Sequence, residues 1–292
     1  MDAVITYVNG ADPEWLKDYE SATGEPLNPK RFRDWGTLKF LLRGIREHLP
    51  FVRNVYLVVS RRSQVPAWAD TSRLKVVLHG DIVPSHLLPL FNGASIEMFL
   101  HRIEGLDEEF LYFNDDFFPV RDCSPEYFFK DGKAAAHFHP GVFSRNMYKY
   151  HCLISDSLAR EAAGRPRRPF FIRPQHTCQP MLRSVCEDLY CRYGDRLLAK
   201  VTPLRVMENY NHYVFIDYAH YLGRTFHRKV SNRHFSTAVA PVSKVRDFLL
   251  HPDADFACIN DVNMPPEKYD RYRTALLDAF GSILPAKSPF EI

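Results

Sequence analysis

Two adjacent carboxylates, Asp115 and Asp116, follow the apolar run Phe110–Phe113 and Asn114. The run reads as a buried strand. Acids just past its carboxyl end are placed to hold a hard divalent cation against phosphate oxygens, because Mg²⁺ takes one or two carboxylates and leaves other positions to substrate. Successive strand residues point to opposite faces, so both acids reach one ion only where the strand has broken. Pro119, close behind, favours an early break. The competing reading is a polar turn that merely closes a strand.

A second polar group, Asn9-Gly10-Ala11-Asp12-Pro13, ends the run Val4–Val8. Gly10 permits close backbone approach to a ligand, and Asn9 and Asp12 have the groups to bond a base or ribose. An Asx turn closing the strand is the alternative. Arg31, Arg33 and Arg43 surround the start of a helix N-capped by Asp34, a setting that suits a pyrophosphate or, failing that, plain solvated charge. Glu97, His101 and Arg102 share a helix, with Glu97 and His101 on one face; a salt-bridged surface face is equally open. His176 has the chemistry of a general base, a phosphate donor or a metal ligand. The chain has 13 histidines, so any one of them is more often structural. Arg205 follows a strand-like stretch, and Asn260-Asp261 ends the run Phe256–Ile259. The arginines from Arg160 to Arg173 read as a solvated loop that could instead grip an anionic acceptor.

The elements that must position these residues alternate. Strands are predicted at Val4–Val8, Asn54–Ser60, Leu74–Leu78 and Phe110–Phe113, with helices from Asp34 to Pro50 and from Ser95 to Ile103; residues 17 to 31 read as a polar loop. Strand–helix alternation implies an α/β fold, a mostly parallel sheet with helices on both faces. Ligands bind such sheets outside the carboxyl ends of the strands, where the polar groups after Val8 and Phe113 both lie. Residues 121–175 read as an irregular helical insertion. Beyond it, helices are expected over Met181–Tyr193, Glu208–Leu222, Val242–Leu250 and Pro266–Phe280.

With 292 residues, 46% apolar and 25% charged, the chain suits one large packed domain or a core with a subdomain, which excludes wholesale disorder and a coiled coil. A net charge of +3 is too balanced for a dedicated nucleic-acid binder. No run approaches the about 18 apolar residues that would span a membrane. The start, Met1-Asp2-Ala3, carries no basic n-region, so no secretory signal is read there. The six cysteines form no CxxC pair and read as reduced thiols.

Taken in order, four blocks resemble the Stealth family of bacterial capsular-polysaccharide phosphotransferases, which also includes the catalytic subunit of lysosomal N-acetylglucosamine-1-phosphotransferase. They are DAVITYVNGADPEW at 2–15; RFRDWGTLKFLLRGIREHLPFVRNVYLVVS, continuing to SIEMFLHRIEGLDEEFLYFNDDFF and ending at Phe118; a third block from His176 that includes Arg205; and CIND at 258–261. After His176 no further histidine occurs until His212.

The resemblance implies a single catalytic domain over 1–292 with a Rossmann-like, GT-A-like fold. Residues 1–120 would form the half that binds nucleotide sugar, 121–175 an insertion, and 176–292 the remaining blocks. It implies transfer of a sugar 1-phosphate from a UDP-sugar such as UDP-GlcNAc to a glycan hydroxyl, releasing UMP in capsule or exopolysaccharide synthesis. Asn9, Gly10, Asp12, Arg33, Asp34, Arg102, Asn260 and Asp261 would bind the donor. Asp115 and Asp116 would hold Mg²⁺ or Mn²⁺. Glu97, Asp116, His176 and Arg205 would be catalytic. The partners are a nucleotide-sugar donor and a glycan acceptor, the expected location is cytoplasmic, and peripheral membrane association stays open. A metal-dependent glycosyltransferase and a non-catalytic glycan-binding module are the alternatives.

Overall fold

The computed structural model describes residues 1–24, 27, 32–143, 145–261 and 264–292. In chain order the elements are β1 (Asp2–Thr6), α1 (Pro13–Thr23), α2 (Leu38–His48), β2 (Asn54–Val59), β3 (Lys75–Leu78), α3 (His79–Ile82), α4 (Gly93–Glu97), β4 (Glu109–Asn114), β5 (Phe117–Pro119), β6 (Phe129–Lys130), β7 (Lys133–Ala136), β8 (Phe138–Gly141), α5 (Met147–Ala162), β9 (Phe171–Pro174), β10 (Gln179–Leu182), α6 (Arg183–Leu198), α7 (Tyr213–Tyr221), β11 (Thr225–His227), β12 (Asn232–Ser236), α8 (Val242–Leu250), β13 (Phe256–Asn260) and α9 (Pro266–Ile283).

The fold is α/β. Its five-stranded sheet has the order β10-β4-β1-β2-β3. The chain steps from β1 to β2 to β3 on one side and returns with β4 on the other, so strand order reverses between β1 and β4. In open α/β sheets ligands bind beside such a reversal. β1, β2 and β4 are near-continuous apolar runs because both of their faces are covered: Val4, Ile5, Val55, Leu57, Phe110, Leu111 and Phe113 are fully buried. Strand pairing is mixed. β10 runs antiparallel to β4 with Gln179 opposite Tyr112, and β12 runs parallel to β13.

The chain forms two compact units, each assembled from separate segments. The first comprises 1–4, 77–112 and 126–229; the second comprises 5–76, 113–125 and 230–292. The second is built around aromatic packing: Phe280 of α9 stacks on Phe40 at 5.4 Å and meets Phe118 at 4.6 Å. Each fully buried ring contributes roughly 1.5–3 kcal/mol. In the first, α5 and α7 pack with β9 around Cys152, Phe171, Tyr213 and Ile216.

Several expectations need correction. The polar loop expected from residue 17 is helical to Thr23. Pro13 occupies the first turn and the Asp12 carboxylate accepts from the N–H groups of Glu14 and Trp15. Trp15 and Tyr19, four apart, bury one face against Phe32 at 5.0 and 5.5 Å. Residues 25, 26 and 28–31, among them Arg31, lie outside the described residues.

Asp34 does not cap a helix. Its carboxylate closes a turn onto the Gly36 N–H at 2.8 Å, and α2 starts after Thr37. The helix expected over Ser95–Ile103 is broken into α4 and a 3-10 turn at Leu100–Arg102. The helix expected from Glu208 begins at Tyr213, because Asn209 is drawn into a loop, donating to Lys200 O and Thr202 Oγ1 and accepting from Val206 N. The segment expected to be irregular carries β6 to β9 and the 16-residue α5. All six cysteines are free thiols.

Candidate functional site

In the second unit, β4 and β5 are joined by a two-residue turn, and those two residues are Asp115 and Asp116. The strand therefore breaks where the acids need it to. The Asp116 carbonyl accepts from the Ile259 N–H at 2.9 Å, which ties the turn to β13 and brings Cys258, Asn260 and Asp261 alongside. The Cys258 thiol lies 3.8 Å from Asp116 Oδ2, and burial together with the Asp116 charge pushes its pKa well up, keeping it protonated. Asp116 Oδ1 is buried without a hydrogen-bond partner.

Like charges crowd this turn. Burial, then the charges of Asp116, Asp34 and Asp261, push the Asp115 carboxyl up to about 8. Burial pushes Asp116 up to about 6, against the pull of hydrogen bonds from Asn260 and Cys258. Tyr7, just past β1, feels the charges of both Asp34 and Asp115, and with burial they raise its hydroxyl far above the ordinary range. The residues following β1 and β4 therefore meet at the reversal of strand order. Arg33 answers this charge: its guanidinium lies 3.8 Å from Asp261 and stacks over Tyr269 at 4.5 Å. Tyr269 in turn donates to the Asp34 carbonyl at 2.6 Å.

The group after β1 has its side chains committed locally. Asn9 Oδ1 accepts from the Ala11 N–H, and Gln64 bonds both the N–H and the carbonyl of Asn9. Asp12 Oδ2 accepts from Ser63 and Gln64. Burial would raise the Asp12 carboxyl, but these bonds and its capping bonds hold it below the usual carboxylate range. Gly10 does serve a close approach, but to Phe32: its N–H donates to Phe32 O at 2.7 Å, and a Cβ there would sit 2.6 Å from that oxygen.

The first unit holds a second cluster. Buried Glu97, at the end of α4, accepts from Tyr112 Oη at 3.0 Å and from the His212 N–H at 3.0 Å, and its Oε2 lies 2.8 Å from His212 Nδ1. Burial alone would raise the Glu97 carboxyl; His212 and, more weakly, Arg205 outweigh it and hold the group below its ordinary value. Arg205 is exposed on the loop before α7 and also depresses the pKa of His151, after burial. Tyr213 follows His212, with ring centroids 4.5 Å apart, and its hydroxyl lies 3.2 Å from His176 Nδ1. Glu97 and His176, 79 positions apart in sequence, thus converge on the His212-Tyr213 step, and Arg205 acts there through its charge on Glu97.

Other candidates stand elsewhere. His101 does not share a face with Glu97; it packs on Tyr190 and Phe215, and burial, then Arg102 and Arg183, lower its pKa to about 4. Arg102 is exposed on its 3-10 turn. Arg43 is taken up by Glu291 at 2.7 Å. Arg160 is no loop residue: it is buried in α5 and paired with Asp156 at 3.0 Å. Reading the residues alone did not single out His212, Tyr112, Tyr7 or Tyr269. Tyr7 and Tyr112 lie in apolar runs that read as core, and Tyr269 sits among the charged residues of α9, a pattern that reads as a solvated face.

The profile of Stealth protein conserved region 2 matches residues 31–137, the stretch that carries Arg33, Asp34, Glu97 and the Asp115-Asp116 turn. The chain belongs to the Stealth family. A Streptococcus thermophilus protein described as a capsular polysaccharide phosphotransferase is 37% identical over 142 residues, which is 46% of this chain and 59% of that protein. A Streptomyces coelicolor protein described as an exopolysaccharide phosphotransferase is 30% identical across 100% of this chain and 52% of its own length. One of the same description from Lactiplantibacillus plantarum is 27% identical, with 100% and 96% covered. This Stealth chain thus spans between about half and three-fifths of the length of the first curated relatives it matches. Among solved structures, the galactosyltransferase LgtC covers 97% of the Stealth chain at 10% identity and a TM-score of 0.38.

Proposed function

We propose that this Stealth chain transfers a sugar 1-phosphate from a UDP-sugar to a hydroxyl of an acceptor glycan, forming a phosphodiester and releasing UMP, in capsule or exopolysaccharide synthesis at the cytoplasmic face of the membrane. The observation that carries this reading is the crowding of Asp34, Asp115, Asp116 and Asp261, with the pKa of Asp115 pushed up and Asp116 Oδ1 lacking a partner. Hard oxygen donors that repel one another in this way fit a divalent cation such as Mg²⁺. The polysaccharide phosphotransferases among the relatives support the same class of reaction.

Asp115 and Asp116 would hold the metal, which supplies Lewis-acid neutralisation of the diphosphate when bound. The attack is on phosphorus, so the sugar C1–O bond survives and the anomeric configuration is kept. Catalysis is then positioning and charge stabilisation. Arg33 and Arg205 would stabilise charge on the transferred phosphate. Asp116 or His176 would accept the proton of the acceptor hydroxyl, and Glu97 would fix His212 and Tyr213, against which His176 rests. Asn9, Gly10 and Asp12 would frame the donor through their backbone groups, and Asp34, Asn260 and Asp261 through their side chains.

The test is incubation with a panel of UDP- and other nucleotide sugars, an acceptor glycan and Mg²⁺, followed by phosphorus NMR. Nucleoside monophosphate and a new phosphodiester signal are expected. Release of UDP instead would mark a glycosyltransferase, and no turnover of any donor would mark a glycan-binding module.

A further inference from the structure

The antiparallel β8–β9 ladder, whose two strands are joined through α5, ends in an apolar tip set among positive charge. Its register pairs Gly141 with Phe171 and Phe138 with Pro174, so the next positions outward are Val142 and Phe170. Inside the ladder the Phe171 ring is buried and covers Gly141 closely, 2.3 Å from where a Cβ would stand. Outside it the pattern inverts: Val142 is 69% exposed, Phe143 65% and Phe170 47%, three of the largest apolar exposures among the described residues.

Exposed Arg145, Arg167 and Arg168 flank this tip, with the Arg168 guanidinium 6.0 Å from the Phe170 ring. Residues 142–173 contain seven basic and two acidic side chains, an excess larger than the +3 net charge of the whole chain. Neither acid offsets the tip. Asp156 is buried against Arg160, and Glu161 is paired with Arg196. None of the tip residues has a role in the reaction proposed above.

We propose that this tip docks the protein on an anionic lipid surface, with Val142, Phe143 and Phe170 entering the headgroup boundary and Arg145, Arg167 and Arg168 meeting lipid phosphates. Apolar side chains flanked by long cationic ones are what an interfacial anchor needs, because the guanidinium stems lie along apolar surface while their heads stay in the headgroup layer. Each basic residue near an anionic leaflet adds to the attraction. An acidic glycan would answer the charge equally well. It leaves an exposed valine unused, whereas a headgroup boundary buries all three apolar side chains, so the lipid surface is the better fit.

The test is cosedimentation with phosphatidylcholine vesicles, with and without about a third phosphatidylserine. Binding is expected only to the anionic vesicles, and salt at about 0.5 M should release it, since charge attraction is then screened within a few Å. V142S/F143S/F170S and R145E/R167E/R168E should each lower the partition coefficient at least about tenfold with the near-ultraviolet circular dichroism unchanged, because exposed positions tolerate substitution. Absence of wild-type binding to anionic vesicles overturns the proposal, as does equal binding to neutral ones. Retention on heparin by a protein that ignores both vesicle types would assign the patch to an acidic glycan instead.

Discussion

Glu97 Oε2 lies 2.8 Å from Nδ1 of His212, and the His212 N–H reaches the same oxygen from 115 positions away in sequence. A buried acid held in this way fixes both the loop before α7 and the adjacent Tyr213. Glu97→Gln keeps the shape but removes a buried carboxylate that accepts from Tyr112 Oη and the His212 N–H, and should cost about 1.5–3 kcal/mol in urea unfolding at neutral pH. Glu97→Ala, which also strands the Tyr112 hydroxyl, should cost more.

The same carboxyl predicts a pH dependence. Its folded pKa is held below the ordinary 4.5, so the stability it contributes is present above that value and is lost as pH falls through the lower folded value. Chemical denaturation of the wild type and Glu97→Gln should show their stability difference shrinking as pH drops below 4.5. A gap that widens on acidification would contradict the assignment.

The acid turn carries the opposite sign. Asp115 has a folded pKa raised to about 8 from 3.8, so the metal-free protein loses stability as pH rises between those values. Asp115→Asn should therefore melt higher than the wild type at pH 8 without metal. Millimolar MgCl₂ should raise the wild-type Tm by a few degrees, more at pH 8 than at pH 6, and should leave Asp115→Asn and Asp116→Asn unmoved. Thermal scans at the two pH values check both points.

Asp116→Asn and His176→Ala should each lower nucleoside monophosphate release by roughly two orders of magnitude or more, the ordinary contribution of a positioned base or charge, with circular dichroism unchanged. Near-normal turnover in both variants would remove these residues from the chemistry.

Asp12→Ala separates a cap from a ligand group. Loss of the N-cap should cost about 1–2 kcal/mol of stability. With Asn9 and Gln64 already bonded to each other, the KM for the donor should change less than threefold. A donor-specific rise in KM at unchanged stability would return Asp12 to the nucleotide.

Much of the scaffold was legible because burial on two faces writes itself into the chain. The runs at β1, β2, β4 and β13 have apolar centres with polar residues only at their ends, and all four are strands. The Asp115-Asp116 turn was legible for a related reason, since three polar residues in a row after such a run end the strand. α1 was hidden because its buried face has just two large residues, Trp15 and Tyr19, among charged neighbours. Asp34 and Asp12 look alike in sequence, each an acid near a helix start, yet one closes a turn and the other caps.

What the sequence determined alone was the class of fold, the family, and the residue types able to grip phosphate and cation. These follow from local patterns, in which neighbours along the chain decide burial and charge. Only the tertiary structure decided which acids feel one another. Asp34, Asp115 and Asp261 belong to three separate segments, and their mutual repulsion exists because strand order reverses beside β1 and because β13 is stitched to the turn after β4. Likewise His212 became the partner of Glu97 through packing. Electrostatic interaction depends on distance in space and on desolvation, and neither quantity is a function of spacing along the chain.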